Sequence, residues 1–230
     1  MTIRLYELVG ADHARPFSPH CWKTRMSLLH KGLEFETVPV PFTGVAGLLE
    51  NGGATVPVIE DNGRKIVDSF KIALYLDETY PDNPLFGSSE AVALSRFVES
   101  WSQSRLHAWI TRWSILDIHV MLDPEDQAYF RSSREKRFGI PMEKIAVNRD
   151  ALRDDLKGIL APFAILLNHQ PFIAGETPRF ADYIVFGAFQ WLRVCSGLSM
   201  IGQDAPVRPW LDRMFALYDG AALKTPEARN

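Results

Sequence analysis

The chain has 230 residues, of which 47% are hydrophobic and 23% are charged, and its formal net charge is −3. This size and composition predict a globular protein with two compact units. The small negative charge disfavours nucleic-acid binding, which usually needs a basic surplus, and no apolar run approaches the roughly 20 residues that span a bilayer. We therefore expect no nucleic-acid partner and no membrane partner.

The N-terminus and the cysteines indicate the compartment. Residues 1–4 lead directly into a strand pattern and lack the apolar core of a signal peptide. The two cysteines, Cys21 and Cys195, lie far apart in sequence and make no disulfide framework. The strand-like N-terminus and the cysteine usage together predict a cytoplasmic protein. The histidines show no metal-ligand spacing, so we expect no metal.

The first elements are a strand and a helix joined by a polar loop. Residues 2–8 predict the strand, and Pro19 predicts that the helix begins directly after Ser18. Lys31–Gly32 suits its C-terminus. Ser18 then occupies the N-cap, where unpaired backbone N–H groups and the helix dipole favour an anion such as a thiolate. A plain capping role is the alternative interpretation.

The following segments predict further strands. Residues 35–40 form a strand that we expect to be parallel to the first, because a helix separates the two. Val56–Pro57 precedes a third strand, and a cis bond between these residues would account for the proline there. The Asp61–Asn62–Gly63 turn joins that strand to an antiparallel fourth strand. Residues 41–55, rich in glycine, predict a loop with at most a short helix.

Asp68–Ser69 opens another helix and completes a βαβ–ββα unit, which we assign to a first domain at residues 1–82. The breaker-rich segment 83–88 predicts a linker. From residue 89 to residue 230 the hydrophobic period is helical, so the second domain is expected to be all-α. The tail after Gly220 is expected to be loose.

The sequence Ser-Pro-His-Cys at residues 18–21 is similar to the Cys-Pro-x-Cys redox site of a thioredoxin-like fold, with serine in place of the first cysteine. This replacement removes disulfide exchange, which needs a thiolate nucleophile. It keeps a hydrogen-bond donor that could stabilise the thiolate of another molecule. The pattern therefore favours a transferase that uses an external thiol.

The βαβ–ββα unit, the linker and the helical remainder together resemble the cytosolic glutathione transferase family. The resemblance implies that Ser18 is catalytic and hydrogen-bonds the sulfur of the co-substrate glutathione. Val56 and Pro57 match the family's Val-cis-Pro pair, whose valine backbone pairs with the cysteinyl part of glutathione. Asp68 and Ser69 match the pair that holds its γ-glutamyl end.

The resemblance also implies a homodimer and a hydrophobic second substrate. Segments 18–24, 115–119 and 133–138 are similar to bacterial β-etherases and fungal etherase-like transferases, which favours an aromatic electrophile and glutathione-dependent cleavage of β-aryl ethers. Two alternatives stay open. One is a non-catalytic glutathione- or ligand-binding protein of the same fold, and the other is a thiol reductase that uses Cys21.

Several side chains have both a functional and a structural interpretation. Trp109 and Trp113 are candidates for an aromatic pocket that faces the glutathione sulfur, although aromatic stripes at helical spacing usually pack in a core or a dimer interface. Cys21 is either a residual redox thiol or a small apolar residue that faces the sheet. His20 is either an electrostatic neighbour of the site or a histidine without a role.

A basic cluster lies between residues 131 and 137. Such clusters are usually solvated surface, and an anionic aromatic substrate is the functional alternative. Its members are Arg131, Arg134, Lys136 and Arg137.

Two positions depart from the family pattern. Arg179 stands where many relatives place a serine or threonine N-cap, so we expect Thr177 or Asp182 to satisfy the start of the following helix. Thr55 stands where a basic residue often contacts the glycine carboxylate of glutathione. Glutathione would then be held less tightly, or another basic residue would serve that carboxylate.

Overall fold

The computed structural model describes residues 2–49, 55–146 and 149–228. Its N-terminal part is a mixed four-stranded sheet with two helices, and its C-terminal part is helical. This architecture confirms the predicted thioredoxin-like domain followed by an all-helical domain. The N-terminal elements are β1 (Ile3–Leu8), α1 (Pro19–Lys31), β2 (Phe35–Val40), β3 (Val58–Asp61), β4 (Arg64–Val67) and α2 (Ser69–Thr79).

The sheet has the strand order β2-β1-β3-β4. β1 and β2 are parallel, because α1 returns the chain to the starting edge, and the other two neighbouring pairs are antiparallel. Asn62 and Gly63 both adopt positive φ, 49° and 79°, which is the backbone of the tight turn expected between β3 and β4. Of the predicted loop 41–55, residues 50–54 lie outside the described residues.

The C-terminal part begins with one continuous helical stretch in which a π-helical segment separates two α-helices. It consists of α3 (Ser89–Trp101), the π segment (Ser102–His107) and α4 (Ala108–Met121). None of the described helices combines the length and the apolar character needed to cross a bilayer. The remaining helices are α5 (Pro124–Phe138), α6 (Met142–Ile145), α7 (Arg149–Leu167), α8 (Phe180–Ser196) and α9 (Arg208–Gly220).

Helix α8 is the centre of the molecule. Every residue of α8 except Trp191 is buried, and the helix packs against α1, α3 and α4. Because it contacts α1, the core of the N-terminal part continues without a break into the helical part. Residues of the two predicted domains therefore pack together in the hydrophobic core.

Asp182 accepts a hydrogen bond from the backbone at the start of α8, which was one of the two expectations, the other being Thr177. Its carboxylate accepts hydrogen bonds from the backbone N–H of Arg179 at 3.1 Å, from that of Ile173 at 2.8 Å and from the indole of Trp210 at 2.9 Å. Burial raises the pKa of Asp182 to about 6, and these donors act in the opposite sense. A buried carboxylate with three donors fixes the loop before α8 as well as the helix itself.

The connection between α2 and α3 is held on both sides. The Asp77 carboxylate of α2 accepts from the backbone N–H groups of Leu85 and Phe86, at 2.8 and 3.0 Å, and the N–H of Phe180 donates to the Leu85 carbonyl. The breaker-rich segment thus joins both parts of the molecule by hydrogen bonds. The exact domain boundary remains a prediction.

The expectation of a loose C-terminal tail is wrong up to Thr225. Ala222 and Thr225 are buried, because Gln190 of α8 donates to the Ala222 carbonyl at 2.8 Å and Arg193 donates to the Thr225 carbonyl at 2.9 Å. Two buried polar side chains of α8 thus donate hydrogen bonds to backbone carbonyls of the tail.

The close approach of α1 and α8 makes a stability prediction at Gly187. A Cβ atom there would overlap the carbonyl oxygen of Pro19, which belongs to the backbone and cannot turn aside. We expect Gly187→Ala to lower the free energy of unfolding by roughly 2–3 kcal/mol, as overpacking does in well-packed cores. Urea unfolding followed by circular dichroism measures the change.

Gly158 in α7 is the matched control for this substitution. A Cβ atom at Gly158 would meet no atom within 4 Å, so Gly158→Ala should raise stability by up to about 1 kcal/mol through helix propensity. Equal stability of the Gly187→Ala variant and the parent chain would contradict the close helix contact.

Candidate functional site

Ser18 lies between β1 and α1 and caps the helix as expected. Its backbone is extended, with φ −61° and ψ 126°, and its Oγ accepts a hydrogen bond from the Cys21 N–H at 3.4 Å. Because Oγ accepts this bond, its own hydrogen can be donated to a bound acceptor. The side chain therefore presents a donor at the positive end of a helix, which suits an anion.

Val56 and Pro57 precede β3, and the peptide bond between them is cis, as the sequence predicted. Pro57 is buried, whereas Val56 is half-buried and lines the same cavity as Ser18. The structure thus brings these sequence-predicted residues to one place.

Asp68 and Ser69 start α2. Oδ1 of Asp68 accepts from the backbone N–H groups of Phe70 and Lys71, at 3.1 and 2.9 Å, which leaves Oδ2 for a ligand. Asp68 has a φ of 81°, a value that favours glycine and costs other residues on the order of 1 kcal/mol. Strain of this kind is often retained at binding sites.

Lys23 of α1 lies between His20 and Glu99 and interacts with the charge of Asp68. Its buried ammonium lies 2.9 Å from Oε1 of Glu99 and 3.2 Å from Nδ1 of His20. Burial lowers the pKa of Lys23, whereas the charges of Glu99 and Asp68 act in the opposite sense. The Asp68 carboxylate is therefore close enough to Lys23 to interact with its charge.

A cavity of about 590 Å³ opens beside Ser18. The N-terminal part contributes Ser18, His20 and Val56 to its lining, and the helical part contributes Tyr129 and Trp191, among others. Asp68 and Ser69 are not among the described residues that line this cavity. The site therefore has an open cavity at Ser18 and a separate polar end at the start of α2.

Neither of the tryptophans proposed for substrate binding is among the described residues that line this cavity. Trp109 and Trp113 are buried in α4, and their rings stack with centroids 5.1 Å apart. The Trp109 indole donates to the Leu152 carbonyl at 2.6 Å. This placement agrees with the core-packing alternative, because both rings belong to the hydrophobic core that also contains residues of α7.

His107 is a site candidate that the sequence did not reveal. It ends the π segment and lines the cavity, with its ring centroid 5.4 Å from that of His20 and 5.6 Å from that of Trp191. Its buried Nε2 has no hydrogen-bond partner among the described residues. The sequence shows only a histidine at helical spacing. It carries no signal for the π segment that orients this histidine toward the cavity.

Both histidines of the cavity are neutral at physiological pH. Burial lowers the pKa of His107 to about 3, and the charge of Lys23 acts in the same direction. Burial and Lys23 also hold the pKa of His20 well below its usual range. Neutral imidazoles can donate or accept a hydrogen bond without adding charge to the site.

Cys21 is buried against the sheet side of α1. It belongs to an apolar cluster with Leu8 and Phe17, and burial raises the pKa of its thiol to about 12. A protonated, inaccessible thiol is a poor nucleophile. The geometry thus supports the structural interpretation of Cys21.

Comparison with known proteins relates the chain to glutathione S-transferases. The family model described as glutathione S-transferase, N-terminal domain, matches residues 13–84, and the model described as glutathione S-transferase, C-terminal domain, matches residues 93–204. Glutathione S-transferase-like protein ustS of Aspergillus flavus is 27% identical over 209 residues, which cover 77% of this chain and 75% of that protein.

Solved structures agree with these matches. Two glutathione S-transferases of Ceriporiopsis subvermispora, both crystallised in complex with glutathione, superpose on the fold. CsGST63524 has a TM-score of 0.79 and 25% identity, with coverage of 99% of this chain and 100% of that chain. CsGST83044 has a TM-score of 0.74 and 28% identity, with coverage of 96% and 94%. With both domain models matched in order along its length, the chain belongs to the glutathione S-transferase family.

Proposed function

We propose that the protein is a glutathione transferase in which Ser18 activates the glutathione thiolate for attack on a hydrophobic, aromatic electrophile. One observation carries the proposal: the hydroxyl of Ser18 caps a helix at the edge of a cavity that both parts of the molecule line. The cavity provides room for a second substrate next to the activated sulfur.

Residues of the N-terminal part suit two of the three parts of glutathione, the cysteinyl and the γ-glutamyl. The backbone of Val56 would pair with the cysteinyl part, as in the family. Oδ2 of Asp68 suits the ammonium group of the γ-glutamyl end, and the N–H groups and hydroxyl of Ser69 at the start of α2 suit its α-carboxylate. This assignment of roles rests on the fit between charge and donor type at each position.

The chemistry requires an ionised sulfur. A free thiol has a pKa near 8.5, and only the thiolate attacks well. The Ser18 hydroxyl donates to the sulfur and the N-terminus of α1 adds positive potential, so both favour the charged form. Attack forms a C–S bond and breaks the bond to the leaving group, which departs with the electron pair and takes a proton from water.

The favoured subclass is cleavage of β-aryl ethers, in which the leaving group is a phenolate. Its support is the likeness of several segments to the β-etherases together with an aromatic cavity beside Ser18. We also propose a homodimer in the cytoplasm. Leu94 and Phe97 of α3 support the dimer, because these two apolar side chains lie three residues apart on one helix face and are 39% and 70% exposed, so a partner subunit could cover both.

Replacing Ser18 with alanine tests the proposed role directly. We expect turnover to fall roughly a hundredfold, as for the loss of one donor to a developing anion, while glutathione affinity stays largely intact. The pKa of bound glutathione, followed by the ultraviolet absorbance of its thiolate, should rise toward the value of the free thiol.

Ser88 offers a matched control, because it caps α3 by accepting from the Ala91 N–H at 3.3 Å. Ser88→Ala and Ser18→Ala should each lower stability by about 1 kcal/mol. Only the change at Ser18 should alter turnover and the thiol pKa. Unchanged turnover in Ser18→Ala would refute the catalytic role.

A substrate panel separates the subclasses. The purified chain is incubated with glutathione and either an aryl chloride with activating nitro groups or a model β-aryl ether, and released chloride or phenol is measured. Phenol release is the expected result for the ether. Turnover of the chloride alone would contradict ether cleavage, and binding of glutathione without any turnover would favour the non-catalytic alternative.

The reductase alternative makes a different prediction for Cys21. Because the thiols of Cys21 and Cys195 are buried, Ellman's reagent should react slowly with the folded chain and rapidly with both thiols in urea. Cys21→Ala should retain transferase turnover. Rapid labelling of Cys21 in the folded chain, with disulfide reduction that Cys21→Ala abolishes, would support the reductase instead.

A further inference from the structure

The basic cluster at residues 131–137 divides into two groups in the structure. Arg131 pairs with Glu135 at 3.0 Å and with Glu143 at 2.9 Å, so its charge is compensated at the surface. Arg134 and Arg137 instead line the cavity that contains Ser18. Two charges of the cluster therefore face the site where the second substrate would bind.

Arg134 is held in place by aromatic rings. Its guanidinium carbon lies 4.5 Å from the ring centroid of Phe130 and 5.6 Å from that of Phe42, and Nη1 donates to Oγ of Ser133 at 3.1 Å. Burial and the nearby charge of Arg137 lower the pKa of Arg134. Within the described parts of the chain, Arg134 has no carboxylate partner, so an anion would stabilise its charge.

The remaining lining increases this positive character. Arg112 of α4 contributes a third guanidinium, and none of the described lining residues is an aspartate or a glutamate. Asp126, the nearest acidic residue of α5 to the Phe42 loop, is buried and accepts from the N–H groups of Phe42 and Thr43, at 2.7 and 2.9 Å. Its carboxylate is thus used to hold Phe42 at the cavity.

Aromatic side chains form the walls between Ser18 and the arginines. The ring of Phe42 lies 6.1 Å from that of Phe17, beside Ser18, and 6.4 Å from that of Tyr129. A flat ring can therefore contact aromatic side chains along the cavity while a charged substituent reaches α5. Such contacts suit an aromatic ligand that is apolar at one end and anionic at the other.

We propose that the second substrate is an aromatic electrophile that carries a carboxylate, which pairs with Arg134 and Arg137. The inference rests on the proposed function, because the ring must present its reactive carbon to the sulfur at Ser18. It narrows the substrate class from hydrophobic aromatics to aromatic acids. The guanidinium groups select the charge, and the aromatic walls select the ring.

A pair of probes that differ only in charge tests the proposal. 4-Chloro-3,5-dinitrobenzoate and its methyl ester are each reacted with glutathione, and kcat/KM is divided by the uncatalysed rate constant to correct for ring reactivity. We expect the chain to prefer the acid about tenfold, and the preference should fall as ionic strength rises. Equal corrected values for acid and ester would overturn the proposal.

Variants of α5 then show which residues cause the preference for the acid over the ester. Arg134→Gln and Arg137→Gln should each reduce the preference to less than about threefold through KM for the acid. Lys136→Gln is the matched control, because it removes one positive charge from the same helix at an exposed residue outside the cavity lining. Arg137 is itself exposed, so its replacement tests the proposal even if Arg134→Gln does not fold.

Binding measurements separate this inference from the proposed function. Titration calorimetry with the unreactive 3,5-dinitrobenzoate and its methyl ester reports binding without turnover. Charge-selective binding without turnover of either chloride would support the anion site and contradict the transferase. Turnover without charge preference, or arginine variants that weaken glutathione binding and leave the preference unchanged, would overturn the inference and retain the transferase.

Discussion

The close contact between α1 and α8 is the constraint on which the rest of the molecule depends. Because Gly187 has no side chain, the two backbones approach closely, and the first turn of α1 packs directly on the buried helix α8. Ser18 directly precedes that turn, so the helix end that offers its donors packs against the core. A catalytic donor must be held in place before the charge forms, because reorganisation during the reaction would cost free energy.

The two parts of the molecule contribute different properties to the site. The thioredoxin-like part supplies helix N-termini at Ser18 and Asp68, which suit the charged groups of a peptide-like ligand. The helical part supplies aromatic and basic side chains from α4, α5 and α8. Since the cavity lies between them, a change in the helical part could alter the proposed second substrate while the proposed chemistry at Ser18 stays the same.

Local signals predicted more of this structure than long-range ones. The positions of Ser18 and Asp68 as helix caps follow from neighbouring residues alone, so the sequence was sufficient. Helical spacing placed Trp109 and Trp113 on one face but could not say which neighbour covers that face, and the structure turns them into the core. His107 could not be predicted, because its orientation depends on a π segment that tertiary packing selects.

The π segment Ser102–His107 has a consequence for how such a site can diversify. A π turn accommodates one extra residue within an α-helix, while the helices on either side keep their register. Removing a single residue there would restore a regular α-helix and change how Gln103 and His107 face the cavity, while the side chains of α4 beyond the segment keep their places. In a gene for this scaffold, the loss of one codon inside a helix would thus remodel one wall of the cavity and leave the remainder of the fold unchanged.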